Sequence, residues 1–161
     1  LNLDTQADRD YYLACRQDAW QTIYGNLDRY DGAGFLDDAY DSWKANPKSL
    51  VVAMAGSRRA GLLQLDPRRG QEAHEAYISF LYLAPEQRNN GVGIQLIGKA
   101  VSLSRPLDCD KLGLVCSEQN AHALAFYQKY GFHTIGTEAG AYGTLYRMQK
   151  DIGYTVREDL M

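Results

Sequence analysis

The sequence predicts a single-domain α/β fold: a mixed, mostly antiparallel sheet with a central βαβα unit and helices on both faces. Three observations carry this expectation. The chain has 161 residues, near the usual size of one domain with one hydrophobic core. The stretch Ala76 to Leu83 (AYISFLYL) is almost wholly apolar or aromatic, as suits a strand covered on both faces. Helix, strand and helix patterns then follow it in alternation, with hairpin patterns on either side of that unit. One domain is expected over residues 1–150, with residues 151–161 as a loosely held tail.

The elements follow in order along the chain. Tyr12, Cys15, Ala19 and Ile23 recur at helical spacing, which predicts a helix from Asp8 to Tyr24 with Asp8 as its cap. Gly25 to Gly34 reads as a glycine-rich loop. A second helix, Phe35 to Ala45, must stop before Asn46-Pro47, because a residue preceding proline is pushed out of helical geometry. Ser49 to Ala55 and Ala60 to Leu65 form a hairpin about Gly56-Ser57-Arg58-Arg59. After the apolar strand, Pro85 marks an exit. Ile94, Ile97 and Val101 then share one stripe of a helix running from Gly91 to Ser104. Lys111 to Cys116 reads as a strand, Asn120 to Tyr130 as a helix, and Phe132 to Thr137 with Tyr142 to Met148 as a final hairpin.

Composition narrows the partners. Hydrophobic residues make up 45% and charged residues 23% of the chain, and its net charge is -3. That balance lacks the broad basic field that nonspecific nucleic-acid binding needs, so no nucleic acid is expected as partner. Cys15, Cys109 and Cys116 are odd in number and none lies in a C-x-x-C pair, which suggests neither a disulfide framework nor a metal site. No apolar run approaches the roughly 18 residues of a membrane span. No signal-peptide pattern opens the chain, which starts at Leu1 rather than Met, and a cytoplasmic location is expected.

The informative motif is Arg88-Asn89-Asn90-Gly91-Val92-Gly93, between the apolar strand and a helix. A P-loop reading of Gly93 to Ala100 fails at Ala100, where a hydroxyl should meet magnesium, and Ile94 to Ile97 belong to an apolar helical face. A dinucleotide fingerprint fails at Leu96, where its third glycine belongs. A strand–loop–helix remains, whose first helical N–H groups lack intrahelical partners and make an anion site. Glycine at 91 and 93 lets a diphosphate approach the backbone, and Arg88 can add charge-assisted bonds. A plain tight turn is the simpler reading of the same glycines.

The flanking residues add a resemblance. Arg88-x-x-Gly91-x-Gly93 is similar to the Q/R-x-x-G-x-G/A signature of the GNAT (GCN5-related) N-acetyltransferases. Asn120 to Phe132 (NAHALAFYQKYGF) resembles the same family's N-x-x-A-x-x-F/L-Y-x-x-x-G-F helix. The match is good from about Ile78 to Met148 and rests only on helical organisation over the first 48 residues. The resemblance implies a GNAT-like sheet and direct acetyl transfer from acetyl-CoA, as co-substrate, to a primary amine of a small molecule or peptide, with no metal. A noncatalytic acyl-CoA-binding module of the same fold is the alternative, and a homodimer is an option.

It also implies a site. Main-chain groups of Arg88, Asn89, Asn90, Gly91, Val92, Gly93 and Ile94 would hold the diphosphate, and those of Leu81 and Leu83 the pantetheine arm, with Asn120 bonding that arm while capping its helix. Tyr127 would protonate the departing thiolate, since a phenol of pKa about 10 can serve a thiolate whose conjugate acid has pKa about 8.5. An alkylamine of pKa about 10.4 is neutral about 0.04% of the time at pH 7, which costs about 4.6 kcal/mol of barrier. Many family members place a glutamate on the central strand to meet that need, but here Ser79 stands in its place. Glu75, His74 or a water chain through Ser79 are substitutes, and His74 and Glu75 read equally well as solvated turn residues. Asp28, Asp31, Asp37, Asp38 and Asp41, with Tyr24, Tyr30, Tyr40 and Trp43, would suit a cationic amine by charge and cation–π contact. A solvated acidic loop is the plainer account of those aspartates.

Overall fold

A computed structural model of the chain describes residues 1–70, 73–140 and 142–153. In chain order its elements are α1 (Gln6–Tyr24), α2 (Gly32–Ala45), β1 (Leu50–Ala55), β2 (Arg58–Asp66), β3 (Glu75–Leu83), α3 (Val92–Ser104), β4 (Lys111–Ser117), α4 (Ala121–Lys129), β5 (His133–Gly140) and β6 (Gly143–Asp151). The strands form one six-stranded sheet in the order β1-β2-β3-β4-β6-β5. Only β3 and β4 are paired in parallel; the other neighbours are antiparallel. The expected α/β architecture is therefore the observed one.

Element ends depart from expectation where capping chemistry decides them. Thr5, not Asp8, caps α1: its hydroxyl accepts from the Asp8 N–H at 3.3 Å. Asp8 lies in the first turn, where its carboxylate accepts the Asn2 N–H at 2.8 Å and pairs with Arg59 at 2.6 Å. That amide bond and the guanidinium outweigh partial burial and hold the Asp8 pKa below its usual value. α2 starts at Gly32, earlier than the glycines suggest, because the Asp31 carboxylate caps it through the Gly34 N–H at 2.9 Å. The first hairpin closes on Gly56-Ser57 alone, with Gly56 at φ 63°. At the other end, β6 reaches Asp151, and Ile152 is buried with its N–H bonded to the Asp110 carbonyl at 2.9 Å. Most of the expected tail, residues 154–161, lies outside the described residues.

Each face of the sheet carries its own apolar core. Leu3, Tyr12, Cys15, Ala39, Leu50 and Leu62 pack beneath α1 and α2. Leu63, Leu65, Ala76, Ile78, Leu112, Leu114 and Met148 pack beneath α3 and α4, with Leu96, Ile97, Ala100 and Tyr127 from those helices. Strand alternation sends Leu62 to one core and Leu63 to the other. No described helix is long and apolar enough to cross a membrane.

Two irregularities in β3 shape everything that follows. Gln64 faces Phe80 and the next residue of β2, Leu65, faces Ile78, so Ser79 is an extra, unpaired residue, a β-bulge. Ala76 and Ile78 join the α3/α4 core, whereas beyond the bulge Leu81 and Leu83 take that side and Phe80 and Tyr82 turn to the α1/α2 core. The bulge thus inverts the alternation. The second irregularity is that β3 pairs with β4 only over Glu75–Tyr77 and Lys111–Gly113, while β4 stays paired with β6 as far as Ser117. Past Tyr77 the parallel strands part. Ala76 to Ile78 are accordingly buried but Ser79 to Leu83 are half-buried, less covered than an apolar run by itself suggests.

Candidate functional site

Past Tyr77 the parting of β3 and β4 leaves one edge of β3 without a partner strand among the described residues. Ala84 donates to Ala60 at 2.9 Å, continuing the β2–β3 register. Antiparallel residues alternate between bonding the neighbouring strand and pointing away from it. Leu81 and Leu83, out of phase with Ala84, therefore aim their main-chain groups at the open edge. These are the strand residues the sequence singles out.

The start of α3 stands at the end of that edge. A short 3-10 turn, Pro85–Gln87, leads to Asn89 at φ 68° and to Gly91, the N-cap, at φ 80°. Left-handed backbone at Gly91 is what its missing Cβ permits; space around it is open. No side chain caps the helix, and the first helical turn closes with Gln95 N–H on Gly91 O at 3.3 Å. The N–H groups of Asn89, Gly91, Val92, Gly93 and Ile94 make no hydrogen bond among the described residues. Asn90 is different, because its N–H bonds the Gln87 carbonyl at 3.3 Å. Arg88 is half-buried and forms no ion pair among the described residues. Gly93 carries a packing constraint beside the one read from sequence. It is buried, and an added Cβ would meet the Phe126 ring at 2.8 Å, so its lack of a side chain lets α4 pack on α3.

Through that contact α4 brings the second motif to the opening. Asn120 caps α4, its side-chain oxygen accepting the Ala123 N–H at 3.2 Å. Tyr127 sits two turns further on, its ring edge-on to Phe126 and Phe132, both at 5.4 Å. Its hydroxyl makes no hydrogen bond among the described residues. Burial, with Cys116 near the end of β4 beside it, pushes the phenol pKa well above its ordinary 10.0. Burial likewise pushes the Cys116 thiol up to about 11. Both groups are neutral near pH 7, and a neutral thiol is a poor nucleophile.

The proposed bases lie elsewhere. His74 is exposed, at φ 56°, with Nδ1 within 3.0 Å of the Asp108 carbonyl oxygen. Glu75 accepts from Gln149 at 2.6 Å and covers Gly113. Both stand where β3 and β4 are still paired, away from the opening. The aspartates of the α1–α2 region do not converge either. Asp28, Asp31, Asp37, Asp38 and Asp41 are exposed, Asp31 is spent on its cap, and Tyr40 and Trp43 pack on each other, tilted by 45° at 5.7 Å, along α2. The solvated reading holds for them.

What the fold gathers instead is aromatic. Tyr142, next to the start of β6, packs on Trp20 and Tyr24 at 6.1 and 4.8 Å and donates to Asn26 at 3.0 Å. The final hairpin thereby bridges to α1 across the end of β4. Trp20 touches Phe35 at 5.9 Å, and Arg16 lies 4.3 Å over Phe35 and 4.0 Å over Phe80. Tyr82 donates to Asp18 on the same side, and burial together with that carboxylate raises its pKa. Sequence reasoning missed Arg16, Trp20 and Tyr142. A trace was present in α1, where Arg16 lies four residues from both Tyr12 and Trp20, a cation within an otherwise apolar stripe.

Arg16 rests on Gln64, which is fully buried in β2. Gln64 accepts from Tyr12 at 2.6 Å and Arg16 at 3.3 Å, and donates to Asp38 at 3.3 Å. Gln64→Met keeps the bulk but removes these partners. It is expected to cost about 2 kcal/mol of stability in urea denaturation, from polar groups left unsatisfied. Among the described residues no group of His, Cys, Asp and Glu is arranged to hold a metal ion.

Known proteins share this fold. A model described as the acetyltransferase (GNAT) family matches residues 9–132. GCN5-related N-acetyltransferase 4, chloroplastic, of Arabidopsis thaliana is 28% identical over 111 residues, covering 63% of this chain and 38% of that protein. N-alpha-acetyltransferase 30 of Homo sapiens is 31% identical over 88 residues, 53% of this chain and 24% of that protein. The matches thus span a minor part of these relatives' lengths. Among solved structures, Ard1 from Thermoplasma volcanium superposes with a TM-score of 0.73 at 22% identity, over 93% of this chain and 95% of that one. An aminoglycoside 6'-N-acetyltransferase complexed with coenzyme A gives 0.71 at 16% identity, over 96% of each. At such identities the structures speak for the fold. The family model speaks for descent, and because it runs over most of the chain, from within α1 through β1 to β4 and the whole of α4, the chain belongs to the acetyltransferase (GNAT) family.

Proposed function

We propose that the chain is an acetyl-CoA-dependent N-acetyltransferase that passes the acetyl group directly to a primary amine of a small molecule or peptide. One observation carries the reading: N–H groups without a hydrogen-bond partner among the described residues open α3 at the end of the β3 edge that β4 leaves, and α4, which carries Tyr127, packs on that helix start at Gly93. Fold neighbours solved with coenzyme A or acetyl-CoA include the aminoglycoside enzyme and yncA from Salmonella typhimurium.

The donor set fits that co-substrate. A diphosphate needs N–H groups and a cation, which Asn89, Gly91, Val92, Gly93 and Ile94, with Arg88, provide. An amide-bearing arm needs an open strand edge, which Leu81 and Leu83 provide as if to a further strand. Acetyl-CoA, when bound, supplies the acetyl group as an activated thioester. The chain orients it, with Asn120 beside the arm and Tyr127 holding a proton for the departing sulfur. Ser79, at the bulge, is no base for the amine, so the acceptor's own pKa governs how much of it is reactive.

The test is a thermal-shift titration with acetyl-CoA, then free-thiol release across a panel of amines and peptides. Stabilisation by acetyl-CoA and thiol release with at least one acceptor are expected. Acetyl-pantetheine, which lacks the diphosphate, should lose about 100-fold in kcat/KM, since charge-assisted bonds are worth about 1.5–3 kcal/mol each. Binding without thiol release on any acceptor, or no binding, would sink the reading.

A further inference from the structure

The contacts from Tyr142 through Trp20, Phe35 and Arg16 to Phe80 form one wall on the α1/α2 side of β3, ending beside the Ser79 bulge. Arg16 is a half-buried cation in that wall, and it forms no ion pair among the described residues. Its Nε donates to the Tyr12 hydroxyl at 2.9 Å and its Nη2 to Gln64 at 3.3 Å, both neutral partners. The carboxylate that enters this network, Asp38, does so through the far end of Gln64 and faces Arg68 at 4.0 Å. Nη1 of Arg16 has no hydrogen-bond partner among the described residues. One turn along α1, the indole N–H of Trp20 is buried with no acceptor among the described residues.

Removing a cation from water is costly unless an anion or strong acceptors compensate. Rings against the guanidinium return part of that cost and occupy its faces, which leaves its edge for a ligand. A carboxylate presents two oxygens in the plane that such an edge recognises, a match that a lysine ammonium cannot offer. We propose that Arg16 selects the acceptor, and that the acceptor amine carries a carboxylate a few bonds away. This rests on the acetyltransferase reading and names the substrate class of that same opening.

The carboxylate can belong to a small amino acid or to an acidic residue at the start of a peptide, and two arms of one experiment separate these sources. Thiol release from acetyl-CoA is measured with glycine, β-alanine, 4-aminobutyrate and 6-aminohexanoate, each beside its carboxamide. In the second arm the acceptors are peptides beginning with Asp or Glu, each beside its Asn or Gln counterpart. In at least one arm the acid is expected to exceed its amide by about tenfold or more in kcat/KM, mainly through KM.

Arg16→Gln should abolish that preference while acetyl-CoA affinity and the rate with the amide change little. Arg16→Lys, which keeps the charge without the fork, should retain only part of it. If Arg16→Gln does not fold, the wild-type comparison and Arg16→Lys still decide. Equal rates for acids and amides in both arms, or a preference that survives both substitutions, overturns the proposal alone. Thiol release with no acceptor of either kind overturns the acetyltransferase reading and this one with it.

Discussion

Tyr127→Phe is expected to lower turnover by about 100-fold, the low end of what a positioned proton donor contributes, while leaving acetyl-CoA affinity nearly unchanged. The substitution removes only an oxygen that bonds nothing among the described residues, and the ring keeps its contacts with Phe126 and Phe132. Melting temperature should therefore move little, which separates loss of chemistry from loss of fold. Because burial raises the phenol pKa above 10.0, the donor stays protonated as pH climbs, and its loss comes only above the ordinary phenol range. With no carboxylate on Ser79, kcat/KM should keep rising with pH towards the acceptor's own pKa, about 10.4 for an alkylamine, with no fall below that value. A wild-type profile that falls between pH 8 and 9, or unaltered turnover in Tyr127→Phe with chemistry rate-limiting, removes Tyr127 from this role.

Gly93→Ala and Gly98→Ala, five residues apart on one helix, are expected to act in opposite directions. At Gly93 the new Cβ would meet Phe126 at 2.8 and 2.9 Å and Leu83 at 3.3 Å. The ring is itself held by Tyr127 and Tyr130 at 5.4 and 4.9 Å, so it cannot simply turn aside. Overpacking of this kind costs about 1–3 kcal/mol, or about 2–4 °C in Tm per kcal/mol for a domain of this size. The shift also separates the α3 start from the β3 edge, so acetyl-CoA affinity should fall by about tenfold or more, an amount that about 1.4 kcal/mol accounts for. At Gly98 an added Cβ meets nothing within 4 Å. Alanine there should stabilise by about 0.5–1 kcal/mol through helix propensity and leave affinity alone. Scanning calorimetry and acetyl-CoA titration read both variants. Equal affinities across the pair would mean that the helix start holds no diphosphate.

Much of the fold was legible because its signals are local. The apolar run at Ala76, the alternation after it and the two hairpins require only periodicity and turn chemistry, and the motifs at Arg88 and Asn120 stand on contiguous residues. Where local signals compete, the reading slipped by a few residues. Asp8 and Thr5 are both good caps at three-residue spacing, and the one outside the helix won. Gly32 to Gly34 look like loop, yet one Asp31 cap outweighs their poor propensity.

The site was legible only in part, for a different reason. Gly93 reads as a phosphate glycine, but its neighbour Phe126 is far off in sequence and supplies the actual constraint. The aspartates of the α1–α2 region would suit an amine by charge but read more plainly as solvated, and they are exposed. The charge the fold does bring inside is Arg16, held by Gln64, Phe35 and Phe80.

By itself the sequence determined the kind and order of the elements, the split into a βαβα unit with flanking hairpins, and the uncapped helix start after Arg88. These follow from side-chain period and backbone preference within short windows. Only the tertiary structure decided that β3 leaves β4 after Tyr77 and bulges at Ser79, that the Tyr127 hydroxyl has no hydrogen-bond partner among the described residues, and that the Arg16 guanidinium, which forms no ion pair among the described residues, packs on Phe80 on the α1/α2 side of the strand. Each of those depends on which distant groups meet, and a partner's absence, like its presence, is a property of the packed chain.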